Sequence, residues 1–299
     1  MLTVNETANA KINLYLDVVS RREDGFHNIE TLMQSVSLAD TLVVSAELAQ
    51  NTELELKIDE EGTSGGLSDG EDNLVCRAVR AYLRRAGIFA KVRILLKKRI
   101  PISAGLGGGS SDAAATLRGM NRIFGALTEG ELLSLSSELG SDVPFCLVGE
   151  AAFCEGRGER MTFLYSNSPT PKLYYTLVAP FSAVSTPRAY AELDEIFDGF
   201  KQTRHGVRAS DFDGFFEDIS SGKTPKIPPY NVFELCPSSY TQSTKNAKER
   251  LKSEGAIFTL MSGSGSACFG IFATKNEAER AKFKLETDGF NAYFAESIG

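Results

Sequence analysis

Residues 92–112 read Val-Arg-Ile-Leu-Leu-Lys-Lys-Arg-Ile-Pro-Ile-Ser-Ala-Gly-Leu-Gly-Gly-Gly-Ser-Ser-Asp. Val92, Ile94 and Leu96 recur at a period of two, which predicts a strand. Beyond the glycines, Ala113, Ala114, Leu117, Met120, Asn121 and Phe124 fall at helical spacing, and Gly125 supplies a stop. A glycine loop therefore runs from a strand directly into a helix N-terminus. Gly105, Gly107, Gly108, Gly109 and the small Ala104 allow successive backbone N–H groups to turn toward one point, where the helix adds its positive end. That pattern predicts an anion nest. No Gly-Lys-Ser/Thr closes the loop, so it is not a Walker A sequence, and Gly105-Leu106-Gly107 followed by Ser110 only brushes against G-x-G-x-x-G. A plain flexible turn is the bland alternative; three adjacent glycines and two serines carry a conformational entropy cost that a turn does not require. Lys97, Lys98 and Arg99 upstream read either as added positive potential or as a solvated strand end.

Upstream of the loop, Ile12, Leu14, Leu16 and Val18 alternate with Asn13, Tyr15 and Asp17, and Leu54, Leu56 and Ile58 alternate with charged residues, predicting two half-buried strands. Residues 73–86 switch to helical spacing, with Leu74, Ala78, Ala81 and Tyr82 on one face and Gly87 as the stop. Downstream, Thr128 with Glu131 is a capping box, and Ser141 or Asp142 followed by Pro144 starts a further helix. A glycine hairpin at 155–159 and a polar link at 166–171 lead to an apolar strand at 173–179, so a domain boundary is expected near residue 165. Thr186-Pro187 opens a helix with Tyr190, Leu193 and Phe197 inward. Then come a helix at 245–254, strands at 256–260 and 268–273, a helix opened by the capping box Thr274 and Glu277, and a strand at 290–294. Leaving out the extra helix, this is the split β-α-β-β-α-β order of ferredoxin-like domains. Residues 199–229, rich in Gly, Ser, Asp and Pro, read as a loop excursion.

Composition sets the class. With 299 residues, 42% hydrophobic and 24% charged, the chain has the profile of a globular protein of two domains. The net charge of −7 provides no global positive field for a nucleic-acid backbone or an anionic membrane, so neither is an expected partner. Cys76, Cys146, Cys154, Cys236 and Cys268 are odd in number and form no C-x-x-C pair, which argues against disulfides and zinc and for a reducing compartment. No signal-peptide pattern is visible in the first ten residues, so the cytoplasm is expected. Residues 255–274 carry no charge, but four glycines and three serines interrupt them, which fits two short strands around a loop better than a membrane span.

Four further features could carry chemistry. The Met261-Ser-Gly-Ser-Gly-Ser-Ala267 loop is either a hairpin connection or a phosphate contact. Lys11, at the start of an apolar strand, is either a snorkelling surface residue or a functional ammonium. Asp142 beside Pro144 is either a helix cap or a working carboxylate. His27, after Gly25-Phe26, is either a solvated turn histidine or a group that reads a planar ring.

Together these stretches resemble the GHMP kinase superfamily. The resemblance rests on residues 10–16 (Ala-Lys-Ile-Asn-Leu-Tyr-Leu), 101–114 (Pro-Ile-Ser-Ala-Gly-Leu-Gly-Gly-Gly-Ser-Ser-Asp-Ala-Ala) and 261–268 (Met-Ser-Gly-Ser-Gly-Ser-Ala-Cys). Residues 21–27, 71–74 and 139–145 narrow it to the branch that acts on a diphosphocytidyl methylerythritol in non-mevalonate isoprenoid synthesis. The resemblance covers residues 8–273 in patches, with residues 199–229 unmatched. It implies an α+β, two-domain fold, with an N-terminal ribosomal-protein-S5-domain-2-like α/β domain at 1–165 and a C-terminal ferredoxin-like domain at 166–299. It further implies transfer of the γ-phosphoryl group of ATP, with Mg²⁺, to the 2-hydroxyl of that small molecule, by a monomer or weak homodimer.

By the same resemblance, Asp142 accepts the hydroxyl proton and Lys11 lies beside it. The loop Pro101, Ile102, Ser103, Ala104, Gly105, Leu106, Gly107, Gly108, Gly109, Ser110 and Ser111 would bind ATP, its nest at residues 105–111 holding the triphosphate, with Asn73, Leu74 and Lys98 around the adenine. Asn13 would contact the substrate near Lys11. His27 would bond the cytosine edge, with Phe26 and Tyr190 stacking on its faces. Phe26 stands where relatives usually carry Tyr, which keeps the stacking and removes a phenol hydrogen bond. For Mg²⁺, Ser110 or Ser111 with phosphates and waters is the expected ligand set. Rival readings are another small-alcohol GHMP kinase, such as one for mevalonate or homoserine, and a non-catalytic nucleotide sensor on the same fold. A Rossmann oxidoreductase fails, because the glycine loop lies far from a first βαβ unit and no acidic residue is placed to hold a ribose.

Overall fold

A computed structural model describes residues 1–60, 67–165, 170–179, 184–200 and 206–299. Part of the expected link at 166–171 and part of the 199–229 excursion lie outside the described residues. The chain forms two compact units that are not consecutive in sequence. One holds Met1–Ala10, Ala39–Ile102 and Gly107–Val148; the other holds Lys11–Leu38, Ser103–Leu106 and Gly149–Gly299.

The first unit takes the N-terminal half of β1 (Leu2–Arg21), the C-terminal half of β2 (His27–Leu48), β3 (Glu53–Glu60), α1 (Leu74–Ala86), β4 (Ala90–Lys98), α2 (Gly108–Phe124), α3 (Glu129–Leu139) and α4 (Val143–Val148). Its strands run in the order β3-β4-β2-β1. β3 and β4 are parallel, joined through α1, while β2 and β4 are antiparallel with Val44 opposite Ile94. Leu42, Val44 and Ala46 on β2 and Ala90, Val92, Ile94 and Leu96 on β4 bury alternate side chains against the helices. Asn73 caps α1, its Oδ1 accepting from the amide of Val75, so the helix buries Val75, Ala78, Val79 and Tyr82. Leu74 and Ala81, expected on the buried face, are only partly covered. The capping box of α3 forms as the sequence predicts, with Thr128 and Glu131 each receiving the other's amide.

The second unit takes the other halves of β1 and β2, then β5 (Ala151–Gly156), β6 (Arg160–Phe163), β7 (Tyr174–Val178), α5 (Thr186–Ile196), α6 (Phe215–Ser220), β8 (Tyr230–Asn231), α7 (Gln242–Ser253), β9 (Phe258–Met261), β10 (Cys268–Phe272), α8 (Lys275–Thr287) and β11 (Ala292–Glu296). β5 pairs antiparallel with β2 and β6, and β8 pairs parallel with β1. A separate antiparallel sheet has the order β11-β7-β10-β9, the arrangement expected of the split β-α-β-β-α-β unit. α7 and α8 bury Ala247, Leu251, Ala278, Ala281 and Leu285 in the same apolar cluster as Val178, Cys268 and Phe272. α7 begins three residues earlier than its apolar spacing suggests, because Thr241 caps it.

Two differences from the sequence reading matter. β1 is much longer than the alternation at 12–18, and β2 has no strand signal of comparable clarity. From Thr31 to Ser35 every β2 residue is buried, so the strand lacks a wet face to mark its period. Nor is the 199–229 excursion only a loop. Its described part holds α6 and buries Phe212, Phe215, Phe216 and Ile219, with the Phe212 ring 5.3 Å from Tyr15 and 5.4 Å from Phe153.

No disulfide forms among the described residues, and burial pushes the thiols of Cys76, Cys236 and Cys268 above the ordinary range, as expected of packing residues. Among the described residues no helix is long and apolar enough to cross a membrane.

Candidate active site

Three of the stretches singled out in the sequence meet inside the second unit. The backbone N–H of Lys11 donates to the carbonyl of Leu106 at 3.0 Å, which joins the first stretch to the glycine loop. The hydroxyl of Ser262 donates to the carbonyl of Gly105 at 3.0 Å, and the amide of Ala267 donates to the carbonyl of Ala104 at the same distance. The Ser-Gly-Ser-Gly-Ser loop is thus bound to the glycine loop as well as joining β9 to β10. Asn13 closes the ring, because its Oδ1 accepts from the amide of Gly263 at 3.0 Å.

Lys11 does not reach into solvent. Only 4% of it is exposed, and its ammonium donates to Oδ1 of Asn13 at 2.9 Å. Alternation along β1 puts these two residues on one face. Asn13 is held in turn, its amide donating to the hydroxyl of Thr31, which donates to the carbonyl of Tyr15. Asn231 was not singled out by sequence. It is buried, and its amide donates to the carbonyls of Met261 and Gly263 at 2.7 and 2.8 Å, bracing the second glycine loop. Its one sequence signal is local: an Asn that caps a short turn, here accepting from the amide of Phe233.

In the first unit, α2 starts directly after Gly107, and no side chain among the described residues caps it. Its leading amides stay available for an anion. A β-carbon on Gly109 would lie 3.5 Å from Leu74, so Asn73 and Leu74 stand beside that helix start. Ser110 is half-buried there, whereas the buried hydroxyl of Ser111 donates to the carbonyl of Asn9 at 2.5 Å. Pro101 is buried and Ile102 half-buried ahead of the turn. Asp142 immediately precedes α4, is half-buried, and its carbonyl accepts from the amide of Cys146.

Lys98 lies under the same helix start, fully buried, with its ammonium bonded to both Asp40 and Asp112. A β-carbon on Gly108 would sit 3.3 Å from that ammonium. Asp40 also accepts from the amides of Arg99 and Ile100, tying the strand end to the pair. Burial opposes the charge on Lys98, but Asp112 and Asp40 outweigh it and hold the ammonium above its ordinary value. Burial pushes the Asp112 carboxyl up to about 7, against the pull of Lys98. Among the described residues its Oδ1 has no hydrogen-bond partner, which disfavours the ionised form in the same direction.

The folded state holds the Asp112 proton more tightly than the unfolded chain, so this stabilisation is present at low pH and is lost as pH rises from about 4 through about 7. Asp112→Asn removes the titration. The stability of the wild type relative to that variant should fall by on the order of 3 kcal/mol between about pH 5 and about pH 8. Urea unfolding of both proteins across that range measures it, and a pH-independent difference would exclude the buried proton.

At the turn after β1, Phe26 is half exposed with the Arg157 guanidinium 4.1 Å from its ring centre. His27 is buried, stacked on Tyr190 at 4.8 Å and edge-on to Phe200 at 5.6 Å. Its Nε2 lies 2.8 Å from Asp194, a residue of α5 that the sequence reading passed over.

The chain matches the description of the GHMP kinases N terminal domain over residues 73–150 and of the GHMP kinases C terminal domain over residues 203–291. It is 38% identical to a protein of Caldicellulosiruptor saccharolyticus named 4-diphosphocytidyl-2-C-methyl-D-erythritol kinase, covering 93% of this chain and 91% of that one. A protein of the same name from Prochlorococcus marinus is 39% identical, over 96% and 91%. A crystal structure of 4-(cytidine 5'-diphospho)-2C-methyl-D-erythritol kinase superposes with a TM-score of 0.80 at 34% identity, covering 99% of this chain and all of that one. Homoserine kinase from Cytophaga hutchinsonii, at 19% identity and a TM-score of 0.68, covers 99% of this chain and 94% of its own and shares the fold.

Proposed function

Because the chain belongs to the GHMP kinase family, we infer that it is an ATP-dependent small-molecule kinase that phosphorylates the 2-hydroxyl of 4-diphosphocytidyl-2-C-methyl-D-erythritol, giving the 2-phosphate and ADP. The step belongs to non-mevalonate isoprenoid precursor synthesis, and we place it in the cytoplasm, carried out by a monomer or weak homodimer. The family's two domains are assigned to residues 1–165 and 166–299. The observation that carries the reading is the ring of hydrogen bonds joining Lys11, Asn13, Gly105, Leu106, Ser262 and Gly263. A mere linker loop has no need of a buried lysine at its edge.

Phosphoryl transfer passes through a loose transition state, so the protein chiefly positions reactants and stabilises charge on the transferring oxygens. The substrate 2-oxygen bonds to the γ-phosphorus as the bond from that phosphorus to the β–γ bridging oxygen breaks, and ADP leaves. Asp142 takes the hydroxyl proton. Lys11, oriented by Asn13, favours the developing alkoxide. The uncapped amides from Gly108 to Ser110 meet the phosphate oxygens, Pro101 to Leu106 set the approach to them, and Asn73, Leu74 and Lys98 border the adenine side.

Among the described residues no group of three acidic, His or Cys side chains is placed to hold a metal. Mg²⁺ would be held chiefly by phosphates and water, with the half-buried Ser110 as the hydroxyl left for it, since Ser111 is spent on Asn9. The ion supplies charge neutralisation on the phosphate oxygens. ADP release measured in parallel on the diphosphocytidyl substrate, mevalonate and homoserine tests the assignment. The first should exceed the others by at least about 100-fold in kcat/KM; a preference for either of the others defeats it.

A further inference from the structure

The Nε2 of His27 lies 2.8 Å from one oxygen of Asp194, and the guanidinium of Arg21 lies 3.4 Å from the other. An ionised carboxylate can only accept hydrogen bonds, so the proton between His27 and Asp194 must sit on the imidazole. In the neutral ring that leaves Nδ1 without a proton, as an acceptor. Nδ1 makes no hydrogen bond among the described residues. Stacking on Tyr190 and the edge contact with Phe200 hold the plane of the ring, so the acceptor has a fixed direction. Cytosine presents an amine, a donor, at its 4-position, whereas uracil presents a carbonyl, an acceptor. An imidazole locked with a bare Nδ1 bonds the first and sets lone pair against lone pair with the second.

We propose that Asp194 is a specificity-determining positioning residue: by accepting the Nε2–H of His27 it fixes the tautomer that selects a cytosine-bearing substrate over its uracil analogue. The inference rests on the cytidine substrate proposed above and extends it to a residue of α5 that touches the base only through His27. Arg21 completes the device by holding the far carboxylate oxygen, which leaves the near one for the imidazole.

Nitrogen-15 NMR of the unmodified protein reads the tautomer without any variant, with His205→Gln separating the signals of the two histidines. The expected state is protonated Nε2 and bare Nδ1; the opposite tautomer overturns the proposal. Asparagine can either donate or accept, so Asp194→Asn should populate both tautomers and cut the preference for CDP over UDP, measured by calorimetry, by about tenfold or more. Asp194→Glu should restore it. An unchanged preference in Asp194→Asn overturns the proposal, since a purely structural residue would weaken both nucleotides alike. If wild type binds neither nucleotide, the cytidine reading itself has failed, which the ligand-free tautomer measurement keeps distinct from a failure of Asp194 to lock the ring.

Discussion

Asp142→Asn should cut turnover by about 100- to 10,000-fold while leaving ATP affinity within about threefold of wild type. Asparagine keeps the shape of the side chain but cannot take a proton from the attacking hydroxyl. The loss should fall on kcat and spare the Michaelis constants, because the proton moves only in the transition state. The competing view makes Asp142 a cap for the short α4, which follows it directly. Serine caps a helix about as well as aspartate, so Asp142→Ser distinguishes the two. A pure cap would be rescued by it, whereas a proton acceptor would not. Lys11→Met should also be slow. The double variant should be no slower than about the worse single one, as expected of groups that act as a unit. Rapid-quench phosphoryl transfer with bound nucleotide quantified separately makes the measurement. Turnover of Asp142→Asn within about tenfold of wild type would remove Asp142 from the chemistry.

What could be read from the sequence was local. The capping boxes at Thr128 and Thr274, the strand period of β4 and the passage from glycine loop to helix each lie within a dozen residues, and all are present. What could not be read depends on partners far along the chain. β2 lacks alternation because its middle is enclosed on both faces, so a run such as Thr31, Leu32, Met33 and Gln34 has no period to detect. Lys98 lies in a basic run that suggests a solvated strand end, yet its ammonium is buried between Asp40 and Asp112, 58 and 14 residues away. The 199–229 segment has a loop's composition and is anchored by Phe212, Phe215 and Phe216, whose rings find partners as remote as Tyr15. The site shows the same division. Lys11 and the glycine loop are visible as residue types, but Asn231 and Asp194 act through long-range hydrogen bonds and carry almost no sequence signal.

Gly105→Ala should abolish most activity, and the reason can be separated into strain and collision. Gly105 has φ of +82°, where an alanine costs about 1–2 kcal/mol. Gly125, at φ +59°, ends α2 in open space, so Gly125→Ala carries the strain alone and should cost about 1 kcal/mol with activity unchanged. At Gly105 a β-carbon would also run into the carbonyl oxygen of Ser262, closer than such atoms approach, and would lie 3.1 Å from the carbonyl of Gly265. Both obstacles are backbone, which cannot swing aside as a side chain end can. The 262–265 loop must therefore part from residues 104–106, breaking the bonds of Ser262 to Gly105 and Ala267 to Ala104. Overpacking of this kind costs about 1–3 kcal/mol beyond the strain. Loosening the carbonyl of Leu106 also frees the backbone of Lys11, and displacing Gly263 removes a donor from the Asn13 oxygen that holds the Lys11 ammonium. Misplacing a reacting group by about 1 Å costs on the order of 100-fold in rate, so kcat/KM should fall at least that far in a protein that still folds. Denaturant unfolding and steady-state kinetics on Gly105→Ala and Gly125→Ala together make the comparison. Equal stability and equal activity in the two variants would mean that the two glycine loops do not need each other.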